Sequence, residues 1–275
     1  MASHTIVGCA KIFQFKTAIG SGGRRMLEHT IRTHPGCIRK KNEDSYYVSS
    51  VGGKSFFAVA DGMGGHAAGE VASFLAIETL QENISMHSSS LSFYDPVKIK
   101  SFLSQAILQA NENILMQQMR KPEQKGMGTT LTVSVFLDDE FLTAHVGDSQ
   151  VHLFNVSGHY QVTEDHSVVM ELLKNKEIDL EDIYDHPRRN ILTRSLGTTS
   201  PLKIDFYATA IQENDYILLC TDGLTNMLRP NEIQEIIFRS THLEGAADQL
   251  LAKANALGGL DNITFVLIQY KKGES

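Results

Sequence analysis

Short apolar runs that end at, or start from, an aspartate recur along this chain and constrain its fold most strongly. Residues 55–60 (SFFAVA) predict a buried strand, and Asp61 follows directly. Comparable runs precede Asp148 and Asp222, and another begins just after Asp261. Because aspartate is unfavourable inside strands, each carboxylate should lie where a strand ends or begins. The sequence therefore predicts buried strands whose ends carry acidic side chains.

The segments between these aspartates alternate between strand and helix patterns. Further strands are predicted at 129–137, 141–146, 151–155, 160–163, Tyr216–Cys220 and 263–269. Helices are predicted at 67–84, from Pro96 through 114, around Val168–Lys174, and near 231–238 and 244–257. Tight turns between residues 129 and 163 indicate an antiparallel meander. Helices grouped in pairs favour sheets covered by helices over a parallel βαβ sheet.

The chain is interpreted as an N-terminal extension of unknown role over residues 1–27, followed by one domain over residues 28–272. Residues 21–25 (SGGRR) form a flexible basic link, and residues 5–18 include a candidate strand. No apolar run reaches the roughly 18 residues needed to span a membrane. The three cysteines form no CxxC pair, which argues against a disulfide framework or a zinc knuckle. A cytoplasmic location is therefore expected.

The four aspartates at strand ends favour a metal site. A single such aspartate is more often a turn former or a helix N-cap. Asp61 and Asp222 are each followed by glycine, which lets a backbone carbonyl approach a ligand closely. Hard divalent cations prefer carboxylate, carbonyl and water oxygens. Strand ends that converge on one rim would make an oxygen-lined site for two metal ions.

The net charge of −7 bears mainly on solubility. It also disfavours a nucleic-acid binder, because such proteins usually carry a basic face.

A mixed-charge run at residues 39–44 (RKKNED) precedes a predicted strand. Its arginine, Arg39, is suited to bidentate recognition of phosphate, and two carboxylates follow it closely. In isolation such a run would be a solvated loop in most proteins.

Six motifs follow one another in order across residues 30–270, nearly the whole predicted domain. They are RKKNED at 39–44, DGMGGH at 61–66, GMGTT at 126–130, VGDS at 146–149, TDGL at 221–224 and DN at 261–262. In this order they resemble the metal-dependent protein phosphatases of type 2C, in their bacterial form. The combination is far more specific than any one motif. The resemblance implies an α+β fold, a four-layer α-β-β-α sandwich with two central antiparallel β-sheets flanked by helices.

The resemblance also implies a set of metal ligands. Asp61 would bridge two cations, and the Gly62 carbonyl would bind the second of them. Asp222 and Asp261 would bind the first. The remaining implied ligands surround these ions or hold a third: Glu43 and Asp44 for the pair, partly through water, and Asp148, Asp222 and Asn190 for the third.

The implied activity is hydrolysis of phosphoserine and phosphothreonine in proteins, with Arg39, Asp61 and Asp222 as catalytic residues. Mn²⁺ or Mg²⁺ would lower the pKa of a bridging water, and hydroxide would attack phosphorus in line without a covalent intermediate. Arg39 would hold the substrate phosphate. The expected partners are phosphorylated proteins, substrates of serine/threonine kinases, with no nucleic acid, no membrane and a monomeric enzyme. The alternative is a pseudophosphatase, or a signalling-switch binding module dedicated to one partner protein.

Some residues depart from the family pattern or remain ambiguous. Met63 stands where many eukaryotic members have a histidine, so His66 is a candidate general acid, although it could simply cap a helix or face solvent. Residues 165–198 match a variable flap beside the active site. Its charged run is either a solvated surface or a selector of phosphoprotein substrates. Cys220 is expected to be a buried strand residue.

Overall fold

The computed structural model describes residues 14–19, 25–64, 68–88, 95–137, 139–198 and 201–272. Within these residues the strands are β1 (Gln14–Ile19), β2 (Arg25–His34), β3 (Ser45–Val51), β4 (Lys54–Ala60), β5 (Gly62–Met63), β6 (Gly128–Thr129), β7 (Leu131–Leu137), β8 (Glu140–Val146), β9 (Gln150–Asn155), β10 (Gly158–Gln161), β11 (Asp205–Ala210), β12 (Tyr216–Cys220) and β13 (Ile263–Lys272). The α-helices are α1 (Gly69–His87), α2 (Pro96–Arg120), α3 (Val168–Lys174), α4 (Asp222–Thr225), α5 (Pro230–Arg239) and α6 (Leu243–Ala256).

The strands form two main antiparallel sheets that pack face to face. One has the order β1-β2-β13-β12-β9-β10 and the other β11-β8-β7-β4-β3, while β5 and β6 form a small ribbon. Successive side chains of a strand point to opposite faces. Along β4, Phe57 and Val59 therefore enter the core between the sheets, whereas Phe56 and Ala58 face outward into a second core.

Helices cover both outer faces of the paired sheets. Leu80 of α1 and Ile107 of α2 are fully buried in the apolar cluster on the five-stranded sheet. Ile233 of α5 and Leu250 of α6 are fully buried in the cluster on the six-stranded sheet. The predicted α-β-β-α sandwich is thus confirmed. Among the described helices, none combines the length and apolar character that a membrane crossing requires.

The predicted meander over residues 129–163 divides between the two sheets. β7 pairs with β8 in one sheet, and β9 pairs with β10 in the other. The chain crosses between the sheets over residues 147–149, so Asp148 lies at the crossing. Tight turns indicated the antiparallel pairs correctly, but local patterns do not determine which sheet a hairpin joins.

The strand predicted over residues 129–137 is interrupted at Thr130. The backbone N–H of Thr130 donates to the Asp61 carbonyl at 2.9 Å, and its Oγ1 accepts from the Asp61 N–H at 2.8 Å. These bonds replace the regular ladder at this residue. They separate β6 from β7 and connect the end of β4 to the neighbouring strand.

The six-stranded sheet begins within the segment predicted as an N-terminal extension. β1 pairs antiparallel with β2, with Gln14 opposite Thr30. No strand was predicted over Arg25–His34, a segment in which charged residues interrupt the apolar ones. One of them, Arg32, is only 5% exposed and lies against α6, where it donates to Glu244 and Asp248 at 2.8 Å each. Tertiary packing thus accommodates a charge that the local pattern places on the surface.

Candidate metal centre

A cleft of about 580 Å³ opens where β4, β8 and β12 end and β13 begins. It brings together most of the site residues predicted from the sequence, namely Arg39, Glu43, Asp61, Gly62, Asp148, Asn190, Asp222 and Asp261. Asp44 is connected to this cleft through Thr221, whose hydroxyl donates to Asp44 Oδ2 at 2.9 Å. His66 lies outside the described residues.

Asp61 follows the fully buried strand β4, and its backbone is held on both sides. Its carbonyl accepts from Thr129 Oγ1 at 2.8 Å and from the Thr130 N–H at 2.9 Å. Its N–H donates to Thr130 Oγ1. These contacts use the backbone polar groups of Asp61, so its carboxylate is left to face the cleft.

Asp44 and Asp222 each have one carboxylate oxygen that receives no hydrogen bond from the described residues. Asp222 begins α4, and its Oδ2 accepts from Asn226 Nδ2 at 2.9 Å. Among the described residues, the buried Oδ1 atoms of Asp222 and Asp44 receive no hydrogen bond. A buried acceptor without a partner is costly, and such atoms often mark the place of an ion or a water molecule.

The cleft concentrates acidic groups away from water. Burial, together with neighbouring aspartates, raises the pKa of Asp44 to about 7 and raises the pKa values of Asp61 and Asp148 well above their usual range. Burial and the charge of Asp261 also raise the pKa of Asp222. Because each negative charge destabilises the next, the cluster as a whole would be relieved by bound cations.

The donor set fits a hard divalent cation. Its available atoms are carboxylate and carbonyl oxygens, which Mg²⁺ and Mn²⁺ prefer. Within the described part of the chain, no three His, Cys, Asp or Glu side chains are already arranged around one point to hold an ion. The predicted set also draws on the Gly62 carbonyl. Asp44 and Asp222 each have one oxygen engaged with a protein donor, and Asp261 has both engaged, by Arg39 and by the Asn262 N–H.

The cations of the cleft wall belong to the segment at 39–41. Arg39 donates to Asp261 Oδ2 at 2.8 Å, and this neighbouring charge raises the pKa of the guanidinium. Lys41 pairs with Glu70 at 2.9 Å. The predicted phosphate-binding arginine and a predicted metal ligand are therefore in direct contact.

Asn262 holds together the loops around the cleft through side-chain hydrogen bonds. No role was assigned to this residue from the sequence. Its Oδ1 accepts from the Glu43 N–H at 2.8 Å, and its Nδ2 donates to the carbonyls of Lys41 and Pro35 at 2.8 and 3.1 Å. It thus ties the loop that carries Arg39 to the start of β13. The only sequence signal was the position of this asparagine directly after Asp261 in the DN motif.

Gly62 occupies a position with no room for a side chain. A Cβ atom added there would lie 2.2 Å from the Gly69 carbonyl oxygen and 2.5 Å from that of Glu43. Both contacts are to backbone, so neither can be relieved by a side-chain rotation. Glycine here allows α1 and the loop of Glu43 to approach Asp61 closely.

Gly62→Ala is expected to lower the unfolding free energy by about 2 kcal/mol or more, because the backbone must move to accept the methyl group. Any activity that depends on the cleft should fall with it. Urea denaturation would measure the first effect. Gly245→Ala on α6 is the matched control, because a Cβ atom added at Gly245 would meet no atom within 4 Å. This variant should raise the unfolding free energy by about 0.5–1 kcal/mol. Equal stability of Gly62→Ala and the parent would contradict this account.

The profile of the family described as protein phosphatase 2C matches residues 39–256. This segment contains every predicted ligand except Asp261, which follows it closely. The chain belongs to the protein phosphatase 2C family. The resemblance drawn from the six motifs is confirmed.

Relatives of this phosphatase match it over most of its length. The serine/threonine phosphatase stp of Listeria monocytogenes is 39% identical over 239 residues, which cover 86% of this chain and 94% of that protein. The structure of serine/threonine phosphatase Stp1 from Staphylococcus aureus aligns with a TM-score of 0.84 at 30% identity, covering 98% and 100% of the two chains. The catalytic domain of protein phosphatase PstP, in complex with two manganese ions, aligns with a TM-score of 0.78 at 30% identity and covers 90% and 100%.

These findings confirm the predicted enzyme class. The chain is a protein phosphatase of the serine/threonine type, from a metal-dependent family. None of the relatives favours the alternative of a pseudophosphatase.

The predicted flap of this phosphatase is closed at its neck by backbone contacts between its two ends. Its two ends pair through the bridge between Ser167 and Leu192, and the Thr193 N–H donates to the His166 carbonyl at 2.8 Å. A smaller cavity of about 110 Å³ lies between the flap and the core. Asp148, Asn190 and Asp222 line both this cavity and the main cleft, so the three residues predicted for a third ion lie where the two spaces meet.

Cys220 is fully buried at the end of β12, directly before the motif that contains Asp222. Burial raises the pKa of its thiol, so this side chain stays protonated at neutral pH. It is a poor nucleophile, which agrees with the prediction of a buried strand residue.

Proposed function

We propose that this phosphatase hydrolyses phosphoserine and phosphothreonine in proteins by direct attack of water, with Mn²⁺ or Mg²⁺ held by the cleft. The observation that carries the proposal is the convergence of Arg39 with the half-buried aspartates in one cleft of about 580 Å³. A guanidinium beside a carboxylate cluster offers one group for the phosphate and another for the cations.

We assign the metal-binding role to the residues named by the sequence analysis. Asp61, the Gly62 carbonyl, Asp222 and Asp261 would hold two ions, with Glu43 and Asp44 around them. Asp148, Asp222 and Asn190 would hold a third, and their shared position between cleft and flap cavity supports this. Bound divalent cations would lower the pKa of water and stabilise charge on phosphate oxygens.

The protein's own residues orient the substrate and the ligands. Arg39 would bind two equatorial phosphate oxygens once Asp261 is engaged elsewhere, since the two now share a hydrogen bond. Thr129, Thr130 and Thr221 fix the acidic residues that they contact, which limits reorganisation during the reaction. Cys220 is not proposed as a nucleophile, because its thiol is buried and protonated.

Several predictions from the sequence stay predictions. They are a general-acid role for His66, a monomeric enzyme, a domain over residues 28–272 and a cytoplasmic location. Proton transfer by His66 would appear as loss of the basic limb of the pH–rate profile in His66→Gln. Size-exclusion chromatography with light scattering tests the oligomeric state, and cell fractionation tests the location.

The direct test is hydrolysis of a phosphothreonine peptide by the purified chain. Turnover should require Mn²⁺ or Mg²⁺ and should cease in EDTA. A well-folded protein that binds the phosphopeptide but shows no turnover with any divalent cation would instead support the alternative of a binding module dedicated to one partner.

Arg39→Ala is expected to lower kcat/KM for the phosphopeptide by roughly tenfold to a hundredfold, because a bidentate phosphate contact is lost. Arg39→Lys should recover only part of this loss, since lysine offers a point charge in place of the planar fork. Arg120→Ala, at the exposed end of α2, is the control and should be silent. Steady-state kinetics at saturating Mn²⁺ would measure all three. Full activity in Arg39→Ala would remove this residue from the proposed site.

A further inference from the structure

Two loops that carry proposed site residues are joined beside the cleft. The loop at 35–38 leads into Arg39, and the loop at 257–260 leads into Asp261. The Cys37 N–H donates to the Gly259 carbonyl at 2.7 Å. Gly36 has a φ of +77°, and a Cβ there would lie 2.2 Å from the Asp261 carbonyl oxygen. The loops are therefore packed backbone to backbone and form one continuous surface at the mouth of the cleft.

This surface presents three large apolar side chains to solvent. Ile38 is 65% exposed, Leu257 53% and Leu260 50%. Single exposed apolar residues are common and need no explanation. Here three of them come from two abutting loops, and two directly precede Arg39 and Asp261. Such clustering next to a binding cleft is typical of an interaction surface.

Lys40 lies two residues after Ile38 in the same loop. Lys40 lines the cleft and is exposed. Its neighbours Arg39 and Lys41 are paired with Asp261 and Glu70. Among the described residues, no carboxylate forms an ion pair with Lys40. It is thus the member of the 39–41 segment whose charge remains available to a ligand.

We propose that Ile38, Leu257, Leu260 and Lys40 form a substrate-selecting rim. The rim binds the residues that flank the phosphorylated serine or threonine, and it favours sites with a bulky apolar side chain and an acidic side chain within three residues. This inference rests on the proposed function. Each residue of an extended chain advances only about 3.3–3.6 Å. The residues next to a phosphoresidue bound at Arg39 must therefore lie at the mouth of the cleft, beside the rim.

The chemistry of the rim determines the expected preferences. Partial burial of one leucine side chain against the apolar residues should raise kcat/KM about tenfold. An acidic residue near Lys40 should add roughly twofold to fivefold, and added salt should remove this gain because the pair is exposed. A preference for basic residues near the phosphorylated residue would contradict the proposed role of Lys40.

The test is a set of phosphothreonine peptides in which leucine or glutamate is placed, one position at a time, within three residues on either side of an otherwise Ala/Gly/Ser sequence. The parent, Ile38→Ser, Leu260→Ser and Lys40→Gln are compared, with p-nitrophenyl phosphate as a small substrate that has no flanking residues. Val97→Ser is the control, since Val97 is 75% exposed on α2, a helix that packs on the other sheet.

We expect at least one leucine position to show the gain in the parent and in Val97→Ser, and to lose most of it in Ile38→Ser and Leu260→Ser. In these two variants, the kcat/KM for the peptide divided by the kcat/KM for p-nitrophenyl phosphate should fall. Lys40→Gln should lose the salt-sensitive glutamate gain and keep the leucine gain. The proposed rim would be overturned if kcat/KM in the parent did not depend on the position of leucine or glutamate, or if the parent and the rim variants had equal preferences. Metal-dependent hydrolysis of p-nitrophenyl phosphate would then still support the proposed metal centre. Absence of Mn²⁺-dependent hydrolysis of both substrates would contradict the proposed function and the rim together.

Discussion

Asp222→Asn is expected to lower kcat for a phosphothreonine peptide by roughly a hundredfold to a thousandfold while raising the thermal stability of the metal-free protein. Asp222 is proposed to bind two of the three ions, so the asparagine side chain in its place would weaken the binding of both. In the absence of metal, however, its carboxylate is buried among other aspartates, and burial with the Asp261 charge raises its pKa. A neutral amide removes this repulsion and can keep the contact with Asn226.

The two effects have opposite signs, which separates a functional residue from a structural one. Kinetics at saturating Mn²⁺ and melting curves in EDTA would be measured on the same preparations. Glu123→Gln makes the same chemical change at an exposed position after α2 and should alter neither quantity. A destabilised Asp222→Asn in EDTA would show that the carboxylate serves the fold, and unchanged kcat would remove it from the centre.

A fixed Mn²⁺ concentration, set at a hundredfold excess over the Kd at pH 7, is expected to stabilise the protein by about 3 kcal/mol at that pH, and the stabilisation should grow as the pH rises from 5 to 8. The aspartate pKa values are raised in the folded state, so between the unfolded and folded pKa the native protein holds more protons. Unfolding free energy without metal therefore falls as the pH rises through this window. For Asp44, with a folded pKa of about 7, this amounts to on the order of 4 kcal/mol between pH 4 and 7.

Buried histidines act in the opposite direction but do not affect the comparison. Burial lowers the pKa of His29 to about 4 and those of His145 and His152 to about 3. Their contribution to stability is complete above the unfolded value near 6.5 and is lost as the pH falls below it. This loss occurs with and without metal. Differential scanning fluorimetry in EDTA and in Mn²⁺ at each pH would therefore isolate the carboxylates, and a metal effect that shrinks with rising pH would contradict the proposed site.

The positions of the acidic residues were predictable because they follow from local chemistry. Asp61, Asp222 and Asp261 flank segments whose apolar character demands burial, and aspartate is excluded from such strands. The glycines after Asp61 and Asp222 were interpreted as allowing a carbonyl to approach a ligand, whereas the structure shows at Gly62 a position where a Cβ would collide with two backbone carbonyl groups. Local patterns failed where a strand contained charge, as in Arg25–His34, whose Arg32 is covered by α6.

The pairings within the site were not predictable from the same patterns. Arg39 and Asp261 are 222 residues apart in the chain and 2.8 Å apart in space. Asn262 holds the loop of Lys41 across a similar separation. The exposed rim of Ile38 and Leu260 arises in the same way, because the two loops meet only when β2 and β13 pair.

Sequence patterns alone sufficed to predict which acidic residues line the cleft and which segments are buried, and the ordered motifs identified the family. These properties depend on the character of short segments and on their order. The packed fold was needed to show which sheet each hairpin joins and which charges have ion-pair partners. It also showed which charges remain available, as that of Lys40 does among the described residues. Those outcomes depend on contacts between residues far apart in the chain, whose energies are comparable for many alternative pairings until the whole core is packed.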